Sequence, residues 1–478
     1  MKWFTALATA LLLTAPTFAQ RDLMIRSIEE RAEESWGLAK QIWGFAEPGY
    51  QETQSSKLLA DRLEKAGFTV ERGVAKIPTA FTASYGKGTP VIAILGEYDA
   101  LPQLSQEAVP FRKPRVGGNG YGHACGHHLF GVASASAAIA IAEQIKAGNL
   151  KGIVRFYGCP AEEGGAAKAF MVRDGLFKDV DAALHWHPGS RNLAGDQSCL
   201  ARIAVKFRFH GTAAHAAASP EKGRSALDAL LLTIHAVELL REHTPDFTRL
   251  HHTITSGGGA ANVVPEFTEG FFYLRHPKSE VAASIYPRLL KCAQAGALAT
   301  ETKLEVYDLG GTMEILPNNT LATMAKANLT TLNNLNYNAE ERAFASRIQE
   351  TFADRPPLDE IGTVTDVSGR TGMGSTDVGD VSWVVPTTGF STACWVPGTP
   401  GHSWQAVACG GTTLGKKGMQ LAAKVLAANA FDLFADAKLL EAAKAEHRKH
   451  LAGRAYKPLL DAKIPPPLDY RNAGKSGE

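Results

Sequence analysis

Residues 91–95, "VIAIL", form an unbroken apolar run that ends in "GEYDALP". A run this short, closed by turn residues, reads as a strand buried on both faces, as in a parallel sheet. An alanine-rich stretch over 128–147 follows and reads as a helix. "GIVRFYGCP" from Gly152 and "VDAALHWHP" from Val180 repeat the strand pattern. Strands alternating with helices predict an α/β fold, a mostly parallel sheet flanked by helices. The carboxyl ends of parallel strands share one edge, and ligands of open α/β sheets bind there.

Helical spacing of apolar residues predicts one helix over 22–46 and another over 52–66. The pattern changes after residue 200. "ARIAVKFRFHG" alternates as a half-buried strand, a helix spans 221–241, and "HHTITSG" and "TEGFFYLRHP" are strands. A helix over 279–295 and the strand "TKLEVYDLG" complete a β-α-β-β-α-β order, which fits a split-βαβ module. Helix and strand alternate again after Pro317 and end in Ala/Leu/Lys helices over 413–451, then a Pro-rich polar tail. The chain divides into one α/β domain, residues 20–200 and 316–478, interrupted by an α+β insertion over 201–315.

Residues 1–19 stand apart. A positive start at Lys2, an apolar core over 6–16 and small residues at Thr17 and Ala19 predict a signal peptide cleaved near Ala19–Gln20. Its core is too short to span a bilayer, which takes about 20 residues. The uncharged stretch 129–142 is also too short, and 381–415 is broken by Gly, Pro and Thr, so no membrane span is expected. The mature chain is therefore expected in the periplasm or outside the cell. With 50 basic and 48 acidic residues and no basic block, nothing points to nucleic acid.

Residues that bind metals gather at the strand ends. "GHACGHH" places Cys125 and His127 between a strand end and a helix start. "GCPAEEGG" sets Glu162 and Glu163 past the next strand, and "ALHWHPG" sets His185 and His187 past the third. "PGTPGHSWQ" adds His402 in a Gly/Pro loop. Thiolate, imidazole and carboxylate together suit Zn²⁺, or Mn²⁺ where oxygen donors dominate. Adjacent glutamates can divide the work of metal-assisted hydrolysis, one holding metal and the other deprotonating a water. The other five cysteines are irregularly spaced and read as buried small hydrophobes. Zinc deamination would call for His-x-Glu followed by Pro-Cys-x-x-Cys, and the chain has neither.

These motifs, with "MVRDGLF", "GTAAHAAASPEKGRSALDA", "NVVPE" and "GSTDVGDVSWVVPT", resemble the M20 metallopeptidase family, and within it the aminobenzoyl-glutamate hydrolase-type amidohydrolases. The resemblance runs from about Asp22 to the C-terminal helices. It implies a catalytic α/β domain, an inserted lid that also dimerises, and two divalent metal ions, Zn²⁺ or Mn²⁺. It implies Cys125, His127, Glu163 and His402 as ligands, the cysteine bridging both metals, and Glu162 as general base. For the remaining ligand, His-x-x-Pro in the wider group points to His185, whereas a histidine directly before proline points to His187. Alternation along a strand puts both on one face and leaves the choice open. Asp99 corresponds to an acidic residue supporting the site. His215 corresponds to a histidine that reaches across the dimer to the tetrahedral intermediate, and Asn262 and Arg275 to positions contacting the substrate's carboxylate or the partner site. The implied activity is hydrolysis of a small amide: an N-acyl amino acid, an aminobenzoyl-glutamate-like conjugate or a dipeptide. The alternative is a non-catalytic periplasmic binding protein of the same fold.

Overall fold

A computed structural model describes residues 18–461 and 463–471. The signal peptide expected over 1–19 lies outside the described residues except for Phe18 and Ala19. These two begin the first helix, Phe18–Glu30. The single helix expected over 22–46 is two, with Ala32–Phe45 as the second. Arg31 separates them at φ −91°, ψ 8°, and its guanidinium donates to Glu143 Oε1 at 2.5 Å. Apolar spacing carries through such a break unaltered, so the sequence does not mark it.

The central sheet has six strands in the order Thr69–Arg72, Phe81–Lys87, Gly152–Cys159, Val91–Glu97, Ala182–Leu184, Thr387–Thr388. The last four run parallel to one another, and the first two pair antiparallel at one edge. Glu97 pairs with Cys159, so these two strands end level. The loops leaving Glu97, Cys159 and Leu184 therefore emerge on one edge.

The helix His127–Lys146 follows the Cys125 loop and packs between this sheet and the helix Thr413–Ala435. It is long and apolar enough to cross a membrane, but 89% of its most apolar window is buried inside the protein. That burial is what a core helix shows. Its alanines let the helix lie close to the sheet, and at Gly131 a side chain would not fit. A Cβ there would stand 2.7 Å from the Glu97 carbonyl oxygen, a contact only glycine avoids.

The strands Ala201–His210, Arg249–Ser256, Phe267–His276 and Lys303–Thr312 form a separate antiparallel sheet, with Ala201–His210 and Phe267–His276 at its centre. Helices Ala226–Arg241 and Ser279–Ala299 cover one face of it. They enclose a core that includes Phe207, Phe209, Leu230, Phe272 and Leu289.

A third, small sheet joins Val364–Asp366, Asn192–Ala194, Phe390–Ala393 and His187–Gly189. The sequence predicts one strand running through both His185 and His187. Instead, the central strand stops at Leu184 and His187 opens a strand of the third sheet. Strands of three or four residues are too short to show a period, which is why this sheet leaves no pattern in the sequence.

Candidate active site

Cys125 occupies the middle of two donor groups. Its Sγ lies 3.3 Å from His187 Nε2, and Cys125, His127 and His187 bring their donor atoms within 4.8 Å of one another. Cys125, Glu163 and His402 form a second such group, with His402 Nε2 3.3 Å from Glu163 Oε1. Glu97, His127 and Glu162 form a third.

The imidazoles are oriented from behind. His127 Nδ1 lies 2.8 Å from Asp99 Oδ1, and His187 Nδ1 lies 2.7 Å from the Pro188 carbonyl oxygen. Each contact turns the other ring nitrogen toward the donor group, as outer partners of metal-binding histidines do. Asp99 Oδ2 also accepts the Glu163 N–H at 2.9 Å, tying two strand-end loops to one carboxylate. His402 reaches the site from a loop pinned by its own N–H to the Ala124 carbonyl at 3.1 Å. Its φ of 56° is a left-handed conformation uncommon for a residue with a side chain.

Charge is distributed unequally. Burial raises the Glu163 carboxyl, but the hydrogen bond and charge of His402 outweigh it and bring it down to about 2. His402 is raised in turn by Glu163. Burial, then the charges of Glu97, Glu163 and Asp377, push Glu162 well up. Neighbouring carboxylates held this far apart in proton affinity suit different roles.

Two buried atoms, His127 Nε2 and Glu97 Oε2, face each other at 3.1 Å but make no well-formed hydrogen bond among the described residues. Buried polar atoms are normally satisfied. A cation among these donors would satisfy them, and the thiol, imidazole and carboxylate set fits a divalent metal.

Lys168, fully buried, donates to Glu97 Oε1 at 2.6 Å and to Asp377 Oδ1 at 2.7 Å. The one trace of this pairing in the sequence is a lysine inside the apolar stretch "AAKAFMV".

His185 joins none of the donor groups among the described residues. It packs against Gly389, where a Cβ would meet its ring at 2.2 Å. Burial, then the charges of Lys168 and His187, push it down to about 3. His123 and His128 are also turned away. Their Nε2 atoms each lie 3.0 Å from a carbonyl oxygen, of Ile42 and Gly410. All six cysteines are free thiols.

A cavity of about 650 Å³ opens beside the donor groups, lined in part by Glu162, His402 and Arg275. Arg275 Nη1 donates to Ser375 Oγ at 3.2 Å. His215 and Asn262 do not line it. They sit together on the exposed face of the inserted unit, where His215 Nδ1 accepts the N–H groups of Ala217 and Ala218. The Asn262 carbonyl accepts the Ala216 N–H there. Within one chain the structure leaves this pair apart from the donor groups. Arg202 and Arg471 do line the cavity, and no motif in the sequence singles them out.

Paired carboxylates beside thiol and imidazole donors, on the carboxyl edge of an α/β sheet, are suited to metal-assisted hydrolysis. Residues 93–409 match peptidase family M20/M25/M40, and the chain belongs to that family. It is 41% identical over 450 residues to one of the two p-aminobenzoyl-glutamate hydrolase subunits of Escherichia coli (strain K12), the B-type chain, covering 88% of this chain and 94% of the relative. It is 30% identical over 442 residues to the Xaa-Arg dipeptidase of Mus musculus, covering 88% and 90%. The fold is that of the aminobenzoyl-glutamate utilization protein from Klebsiella pneumoniae, with a TM-score of 0.59 at 17% identity over 85% of this chain and 97% of the other. It is shared by the Bacillus subtilis YXEP protein, a dinuclear metal binding peptidase, with a TM-score of 0.53 at 18% identity over 85% and 99%.

Proposed function

We propose that this chain is a two-metal amidohydrolase that cleaves small N-acyl amino acids, aminobenzoyl-glutamate-like conjugates or dipeptides. The observation that carries the reading is the place of Cys125 in two donor groups, with Glu162 in the adjoining one. Cys125, His127, Glu163, His187 and His402 would hold two divalent ions, Zn²⁺ or Mn²⁺, with the thiolate shared. Such ions, when bound, acidify water and polarise a carbonyl. Glu162 takes the proton of the attacking water and returns it to the leaving amine. Asp99 keeps His127 in the tautomer that leaves Nε2 free. Arg275 offers a fork to the substrate's carboxylate.

His215 and Asn262 would act across a dimer formed through the inserted unit, since one chain alone keeps them out of its own cavity. A second assembly reading rests on a relative. The chain is also 31% identical, over 195 residues, to the companion A-type chain of the same Escherichia coli (strain K12) hydrolase. A heteromeric partner of that kind would serve in place of a second copy. The leader pattern of residues 1–19 supports export to the periplasm.

The test is amine release. Protein stripped of metal and reloaded with Zn²⁺ or Mn²⁺ is offered N-acyl amino acids, p-aminobenzoyl-glutamate and dipeptides. Release that depends on metal supports the reading, and silence with every pairing rules it out.

A further inference from the structure

Three guanidinium groups face the cavity from three places in the chain. Arg202 comes from the strand Ala201–His210, Arg275 from the strand Phe267–His276, and Arg471 from the C-terminal segment. Arg202 is only 7% exposed. Arg202 and Arg275 stand over the same ring, Tyr273, at 5.0 and 5.2 Å from its centre. Arg471 Nη2 donates to the Glu163 carbonyl at 2.7 Å, beside the metal-type donors. The Nε atoms of all three are buried without a hydrogen-bond partner, and none of the three forms an ion pair among the described residues. Burial and then the charge of Arg202 push Arg275 below its ordinary value. Arg202 is buried and Arg275 and Arg471 are half-buried, and cations withdrawn from water without an ion pair favour an anion in the cavity they line.

Arg471 is held in place from both sides. Its neighbour Tyr470 packs edge-on against Tyr50 of the α/β domain, ring centres 5.8 Å apart. The Tyr470 carbonyl accepts Lys206 Nζ at 3.3 Å, and Asp469 Oδ1 accepts the Tyr307 hydroxyl at 2.7 Å, both from the inserted unit. The tail that reads as irregular from composition is thus a strap that places one side chain in the cavity.

We propose that Arg471 forms a second anion subsite across the cavity from the Arg202–Arg275 pair, selecting amides whose amine-side product carries two carboxylates. One carboxylate is met by Arg275 and Arg202, which share the Tyr273 ring, and the other by Arg471. The inference rests on the amidohydrolase reading and adds specificity determinants that the motifs do not contain.

Two matched measurements on metal-loaded, full-length protein test it. Calorimetry compares glutarate with butyrate, which share one carboxylate and differ in the second. The wild type binds glutarate at least about tenfold tighter, the worth of one charge-assisted contact. Arg471→Gln brings the ratio to within about twofold, and Arg471→Lys lies between. Turnover compares p-aminobenzoyl-glutamate with p-aminobenzoyl-alanine. Arg471→Gln lowers the ratio of their kcat/KM about tenfold or more, through KM. Equal affinities in the wild type, or a glutarate preference that survives Arg471→Gln, overturn the subsite. Equal losses on both amides also overturn it, because they mark a merely structural strap. Should Arg471→Gln not fold, Arg471→Lys carries the comparison. A preference that depends on Arg471 in a protein that hydrolyses neither amide leaves the subsite standing and removes the hydrolase reading.

Discussion

His127 and Glu163 are held by the two oxygens of one carboxylate. Asp99 Oδ1 lies 2.8 Å from His127 Nδ1, and Oδ2 accepts the Glu163 N–H at 2.9 Å. These residues stand at successive strand ends, so a single aspartate sets the spacing between two proposed ligands. Replacing it loosens both. Asp99→Ala is expected to weaken metal binding about 10–100-fold, read by competition with a chromogenic chelator. Unchanged affinity would remove Asp99 from the site.

His185 and His187 separate by location. His187 belongs to a donor group with Cys125, and His185 packs on Gly389. His187→Ala is expected to lose metal content, measured by elemental analysis of the purified protein. His185→Ala is expected to keep it and to lower the melting temperature through lost packing. The reverse pattern would reassign the ligand.

Lys168 neutralises two buried carboxylates, Glu97 and Asp377. Lys168→Met leaves both without their cation. Breaking a buried ionic group in this way costs about 3–5 kcal/mol, so denaturant unfolding should show a loss of that order. A loss below about 1 kcal/mol would mean that the carboxylates take up protons or find other partners.

Asp380 gives a pH signature away from the site. Burial pushes its carboxyl up to about 7, although the Tyr456 hydroxyl donates to it at 2.7 Å. Its folded value lies above an unfolded one of about 3.9. Its contribution is therefore full below about pH 4 and is lost as pH rises through about 7, by on the order of 4 kcal/mol at most. Asp380→Asn should flatten the decline in melting temperature between pH 4 and 8. A difference between the wild-type and Asp380→Asn curves that stays constant over this range would contradict the assignment.

Periodicity and turn chemistry made much of the architecture readable. The run at 91–95 and the alanine-rich helix after it dictate a parallel sheet whose strand ends converge, and the Cys125, Glu163 and His187 loops do meet there. The choice between His185 and His187 was unreadable because a period of two does not say where a chain leaves one sheet for another. Arg31 breaks a helix without a proline or glycine to mark it. Lys168 and Glu97 are not marked as a buried pair by the sequence, because the burial of a charge is decided by what packs around it, not by its neighbours in the chain. Arg471 lay in a segment whose composition says only that it is not helical. Its position depends on Tyr50, Lys206 and Tyr307, all far away in the chain.

The most direct test is a metal titration of the stripped protein followed by amine release from an N-acyl amino acid, with Glu162→Gln run alongside. The account predicts a rate that climbs with added Mn²⁺ or Zn²⁺ and levels at two ions per chain. It predicts that Glu162→Gln binds the same two ions while kcat falls about 10²-fold or more. Turnover that needs no metal, a plateau at one ion, or a Glu162→Gln variant as active as the wild type would contradict it.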